Sequence, residues 1–153
     1  MAPDDIPSEQ LVDAQRFEFG RNGHRRMSAS RAVLDKLYTP PSAYFEDVLF
    51  RHGGGTELSY RYETGGETRP ARIRFSRVRS FQFRTEAAAD LSDPEVDGEL
   101  VEIFDSPWIM NVRARQASFG DWEWPIRHLL CYFSDAGAYD IAAADYEWIE
   151  RPV

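Results

Sequence analysis

Glu102 and His128 are the two side chains of this 153-residue sequence best placed to move a proton near neutral pH. Glu102 lies between Val101 and Ile103 with Phe104 just beyond, and His128 opens the run Leu129, Leu130. Desolvation among apolar neighbours shifts the pKa of a titratable group toward neutrality, which is what a general acid or base requires. Either residue is therefore a candidate catalyst if the chain is an enzyme. Glu99, Glu102 and Asp105 are spaced by three, so a helical turn would gather them on one face and a strand would divide them. For His128 the competing reading, which the strand context favours, is a buried imidazole satisfied by hydrogen bonds.

A second group could bind rather than catalyse. Arg72, Arg74, Arg77, Arg79 and Arg84 form a basic stripe in which Arg72 and Arg74 alternate with Ala71, Ile73 and Phe75. Guanidinium groups on one strand face can clamp a carboxylate or phosphate, although pairing with Glu or Asp of neighbouring strands is the simpler expectation. Trp122 and Trp124 fall in a polar segment with Gly120 and Pro125, where large aromatic side chains suit a partner interface.

Other chemistries fail on spacing. The run His52-Gly53-Gly54-Gly55 lacks the Lys-Ser/Thr of a phosphate loop and opens no helix, so it reads as a hairpin turn. His24, His52 and His128 show no metal-ligand spacing, and no cofactor is implied. Ser106 is followed by Pro107 and sits in no nucleophile elbow, so local sequence proposes no Ser-His-Asp arrangement and Ser106-Pro107 reads as the end of a segment. The lone Cys131, flanked by Leu130 and Tyr132, reads as a buried structural thiol.

The elements that must position these residues follow from the pattern. Residues 1–7 read as a disordered start and 8–153 as a single domain. A short amphipathic helix is expected from Ser8, then a basic loop between Arg21 and Arg26. A second helix is expected from Ser28 or Ser30, with Ala32, Val33, Leu34 and Leu37 as its buried stripe and Pro40-Pro41 as its stop. Strands follow at residues 44–51, 58–62 and 71–75, joined by turns at His52 to Glu57 and at Gly65-Gly66. Val78 breaks the parity that Phe75, Phe81 and Phe83 share, which predicts a bulge near Ser76-Arg77. Residues 86–98 are acidic and turn-rich and read as a mobile loop, and Val112, Arg113 and Arg115 as a short strand or helical turn. Two apolar runs around Ser134-Asp135-Ala136-Gly137 predict a largely buried hairpin. Helices followed by antiparallel strands give an α+β expectation: N-terminal helices packed on a curved, mainly antiparallel sheet, with a partly closed barrel as the variant.

Composition bounds the function. Apolar residues at 42% and aromatic residues at 14% supply a core. The net charge of −8 disfavours nucleic-acid phosphates as a partner. No apolar run approaches the ~20 residues that cross a bilayer, and the first fifteen residues are acidic and polar, so a cytoplasmic protein with no membrane role is expected.

Four stretches carry a resemblance: Tyr44-Phe45-Glu46-Asp47-Val48-Leu49-Phe50; Val78-Arg79-Ser80-Phe81; Asp105-Ser106-Pro107-Trp108-Ile109; and the run from Arg127 through Asp135 and Tyr139-Asp140-Ile141 to Glu147. Their order resembles a diffuse family of small bacterial, largely actinobacterial, α+β proteins, some regarded as toxin immunity proteins. In size the chain is also similar to the small enzymes that trim thiopeptide antibiotics to a terminal amide. The first resemblance implies a binding or immunity-type protein that engages a protein partner through an acidic, aromatic-containing surface. The second implies a cofactor-independent enzyme acting on a peptide-like substrate through a carboxylate or histidine. Self-association as a homo-oligomer stays open.

Overall fold

The computed structural model describes residues 30–38, 40, 48–85, 97–120, 125–134 and 136–153. The helix from Ser8, the basic loop, the disordered start, most of 44–48 and most of the acidic stretch 86–98 lie outside these residues.

Nine strands and one helix are described: β1 (Arg31–Lys36), β2 (Leu49–His52), β3 (Thr56–Thr64), β4 (Glu67–Ser76), β5 (Ser80–Arg84), β6 (Glu99–Ile103), α1 (Pro107–Ala117), β7 (Arg127–Phe133), β8 (Gly137–Ala143) and β9 (Asp145–Glu150). They form two antiparallel sheets: a larger one in the order β1-β6-β7-β8-β5 and a smaller one in the order β2-β3-β4-β9. The fold is β-rich and the sheets do not close into a barrel, which overturns the expectation of N-terminal helices packed on one sheet. Among the described residues no helix is long and apolar enough to cross a membrane.

The clearest correction is β1. Ala32, Leu34 and Leu37 favour a helix locally, yet the segment pairs antiparallel with β6, and sheet pairing overrides propensity. The register slips between Val33 and Asp35, so a bulge brings Asp35 opposite the core residue Leu100. Asp35 there accepts hydrogen bonds from Tyr146 Oη and Trp148 Nε1 of β9, each at 3.0 Å, and from Arg151. One carboxylate thus ties the β1 side of the larger sheet to the β9 side of the smaller.

Alternation builds the core. Leu58, Tyr60, Tyr62, Ala71, Ile73 and Phe75 of the smaller sheet meet Leu100, Leu129, Cys131, Phe133, Tyr139 and Ile141 of the larger. Cys131 is fully buried, as its neighbours imply, and burial pushes its thiol pKa up, away from a reactive thiolate. Both predicted turns hold: His52 pairs with Thr56 across the Gly53–Gly55 turn, and Thr64 pairs with Glu67 across Gly65-Gly66. The predicted bulge at Ser76-Arg77 proves to be a handover between sheets. β4 ends at Ser76, Arg77 takes a positive φ of 52°, and β5 starts again in the larger sheet.

The larger sheet is covered on its outer face too. Ile109 and Val112 of α1 pack with Ile126 and Ala142. Ser106-Pro107, read from sequence as a stop, starts this helix: Ser106 Oγ accepts from the Ile109 amide at 3.1 Å, and Pro107 occupies the first turn. A proline is favoured there because the amide it lacks has no partner within the helix.

The predicted hairpin is β7–β8, with Leu129, Cys131, Phe133, Tyr139 and Ile141 all buried. Phe133 is central, its ring 5.0 Å from that of Tyr60 across the sheets. Phe133→Ala should lower stability by about 3–5 kcal/mol. Urea unfolding should show this as a lower midpoint at unchanged slope, and an unchanged midpoint would refute the packing described.

Candidate functional site

Glu102 and His128 sit on adjacent strands but do not converge. In the β6–β7 register Ile103 faces His128 and Glu102 faces Leu129, so the two candidates project from opposite faces of the larger sheet. Glu102 points inward and is clamped by Arg127, with Oε1 3.1 Å from Nε and Oε2 2.7 Å from Nη2. Arg127 also holds Asp145 at 3.0 Å. Hydrogen bonding to Glu102 raises the Arg127 pKa. The isolated, apolar carboxylate expected at Glu102 is a salt bridge.

The arginine stripe is divided between the sheets. Arg72 and Arg74 stand on the outer face of the smaller sheet, where Arg74 holds Glu57 at 2.9 Å and Glu147 at 3.6 Å while Arg72 faces Glu150 at 3.9 Å. Cross-strand pairing accounts for both residues. Arg84 belongs to β5 of the other sheet. Trp122 and Trp124 lie outside the described residues. Among the described residues no group of three His, Cys, Asp or Glu side chains is gathered as metal ligands would be.

On the outer face His128 joins a cluster that local sequence did not reveal. Its Nε2 is 2.7 Å from Asp140 Oδ1, and its Nδ1 is 2.7 Å from Ser106 Oγ. Asp140 of β8 is fully buried and also accepts from Arg84 through Nε at 2.6 Å and Nη2 at 3.0 Å, and from Gln82 Nε2 at 3.1 Å. Burial alone would raise its pKa, but the bonds from His128 and Arg84 outweigh that and hold the carboxyl below its usual value. Trp108 packs edge-on against the imidazole, with centroids 4.7 Å apart. The one sequence signal for this cluster was a lone aspartate inside the apolar run from Ala138 to Ala143.

Ser106, His128 and Asp140 have the connectivity of a hydrolytic triad, but the setting is that of a fastener. Ser106 Oγ accepts from the Ile109 amide as a helix cap and shares a hydrogen bond with His128 Nδ1, and the residue is only 7% exposed. The following residue is Pro107, which has no amide to offer an oxyanion. The chain of bonds joins α1 to β7, β8 and β5.

The open feature lies where the smaller sheet ends. β1 stands beside β9, and at the far side Phe50 of β2 meets Tyr139 of β8 at 6.0 Å and Phe81 of β5 at 4.9 Å. Five strands face four, so β5 overhangs. Beneath the overhang runs a cleft of about 370 Å³ lined by Val48, Leu49, Phe50, Phe81, Gln82, Phe83 and Tyr139. Leu49 is 53%, Phe81 44% and Phe83 53% exposed, although alternation alone would bury both phenylalanines. Beyond Phe81 the cleft adjoins a hollow bordered by His52, Val78, Arg79 and Ser80. The other face of β5 carries Gln82 and Arg84, both held by Asp140. The buried cluster therefore fixes the strand that forms the cleft wall.

No family model matches the sequence, and neither a curated protein nor a solved structure is found to match it.

Asp140→Asn leaves Arg84 half-neutralised beside a buried amide and should cost about 3–5 kcal/mol. Because the folded-state pKa of Asp140 lies below the ordinary 3.8, its contribution is complete above that value and is lost as pH falls through the folded one. Urea midpoints of the native chain should therefore drop as pH falls below 3.8, and the variant should show a shallower drop. A second test concerns Gly137, which has φ +104° and where a Cβ would lie 2.6 Å from the Arg84 carbonyl and 2.7 Å from the Phe83 ring. Gly137→Ala should cost about 1–3 kcal/mol from backbone strain alone, and it should broaden the Phe83 ring resonances as the cleft wall shifts.

Proposed function

We propose that this chain is a binding protein whose site is the aromatic cleft beneath β5 and whose partner is a protein presenting apolar side chains. The observation that carries the reading is the exposure of Phe81 and Phe83 at a cleft that Phe50 and Tyr139 also line. Large apolar side chains gathered in one open concavity cost solvation in the free protein, and a partner that covers them recovers that cost. Preorganisation supports it as well, since Asp140 holds β5 through its polar face and the ring contacts Phe50–Phe81 and Phe83–Tyr139 hold it through the other. The enzymatic alternative loses its pair, because Glu102 and His128 occupy opposite faces.

A random-peptide library panned against the native protein, with counter-selection on the double variant Phe81→Ser/Phe83→Ser, tests the reading. Both positions are exposed, so the variant should keep its urea midpoint within about 1 kcal/mol. Apolar peptides should be enriched on the native protein and should bind the variant at least about tenfold more weakly, the scale of one aromatic anchor. Equal enrichment on both proteins, or none on either, would overturn the proposal.

A further inference from the structure

We infer that Ser106 carries an activity directed at its own backbone: an N-to-O acyl shift in which its hydroxyl attacks the Asp105 carbonyl and turns the Asp105–Ser106 peptide bond into an ester. This goes beyond the binding reading and is independent of the aromatic cleft. The burial that closes Ser106 to an outside substrate leaves it one carbonyl that is always at hand. A serine Oγ and the carbonyl carbon before it are separated by N, Cα and Cβ alone, so the attack is intramolecular and needs no bound partner.

The first observation is an activated nucleophile. His128 Nδ1 lies 2.7 Å from Ser106 Oγ, and its Nε2 lies 2.7 Å from Asp140 Oδ1. Asp140 is held below its usual pKa, and a carboxylate only accepts. A neutral imidazole therefore carries its proton on Nε2 and offers the Nδ1 lone pair to the serine hydroxyl. The Ile109 amide, 3.1 Å from Oγ, stabilises negative charge there as the proton leaves.

The second observation is strain at the bond to be broken. Among the described residues Tyr38, Arg77 and Asp105 are the non-glycine residues with positive φ. At Arg77 the handover between sheets accounts for it. Asp105, at φ 53°, directly precedes the nucleophile, and strain of this kind collects at reactive sites. The Asp105 side chain is 81% exposed, so a small nucleophile in solution can reach the ester.

The step balances within the chain. The Oγ–C bond forms and the C–N bond breaks, while the proton that His128 takes from Oγ passes to the Ser106 nitrogen, which becomes a free amine. Water attacking the ester would complete a break between residues 1–105 and 106–153. Across that break β6 pairs with β7, β5 with β8 and β4 with β9, so the two pieces stay joined.

The test treats the native full chain with neutral hydroxylamine, which attacks esters, and follows intact mass over time. Two fragments should accumulate: residues 1–105 ending in a hydroxamate, and residues 106–153 beginning with a free amine. Ser106→Ala should yield neither, and Ser106→Cys should restore both through a thioester. His128→Gln should slow their appearance about 100-fold or more, the scale of a general base. Circular dichroism checks that each variant is folded, and if His128→Gln is not, the Ala and Cys variants decide.

An uncut native chain would overturn the inference. So would fragments that persist in Ser106→Ala, which would make the Asp105 side-chain carboxyl the attacking group, through a cyclic imide. Equal cleavage in urea that unfolds the chain would overturn it too, because the reaction would then owe nothing to His128 or to the strained backbone. None of these results touches the cleft reading, which the Phe81→Ser/Phe83→Ser experiment decides separately.

Discussion

A fully buried carboxylate is tolerable only if its lone pairs are filled, and Asp140 meets that condition with four donor contacts from three residues. Each donor comes from a place that must hold still. Gln82 and Arg84 fix the edge strand β5, and His128 passes the constraint through Ser106 to the first turn of α1. β8 is buried along its whole length, so a charge at its middle had no solvent to fall back on. The cluster costs solvation and returns positional specificity: few other arrangements of β5, β7 and α1 would satisfy it.

What the sequence made legible is whatever depends on neighbours along the chain. The β7–β8 hairpin, the Gly53–Gly55 and Gly65-Gly66 turns, and the alternation of β3 and β4 all follow from local pattern. β1 did not, because its residues suit a helix and only β6 decides otherwise. Ser106-Pro107 was ambiguous in principle, since the same pair that ends one segment caps the next. The salt bridge at Glu102 was not legible because its partner, Arg127, lies across a strand pair that sequence order does not reveal. The aromatic cleft was hidden for a related reason. Phe81 and Phe83 alternate as core residues do, yet among the described residues the smaller sheet has one strand fewer and both rings are exposed.

Charge is arranged with comparable economy. The outer face of the smaller sheet interleaves Arg51, Arg72 and Arg74 with Glu57, Glu147 and Glu150. Hydrogen bonding from Arg74 holds the Glu57 pKa below its usual value. That surface is neutralised internally and offers little to a charged partner. His52 and Arg79 border the hollow beside Ser80, at the margin of the aromatic cleft.

Asp35 gives the two sides of the molecule different characters. Its carboxylate gathers Tyr146, Trp148 and Arg151, and burial together with that hydrogen bond pushes the Tyr146 pKa up to about 12. No proton leaves this hub near neutral pH, so the join between β1 and β9 is constant across ordinary conditions. On the opposite side the sheets meet through rings, Phe50 against Phe81 and Tyr139, and His52 against Phe81. The two sheets are therefore joined by directed polar bonds along β1–β9 and by rings at the opposite side, while the chain itself crosses between them at Arg77 and Ala144, tied there by the bonds Arg79 N to Ala142 O and Ala144 N to Ser76 O.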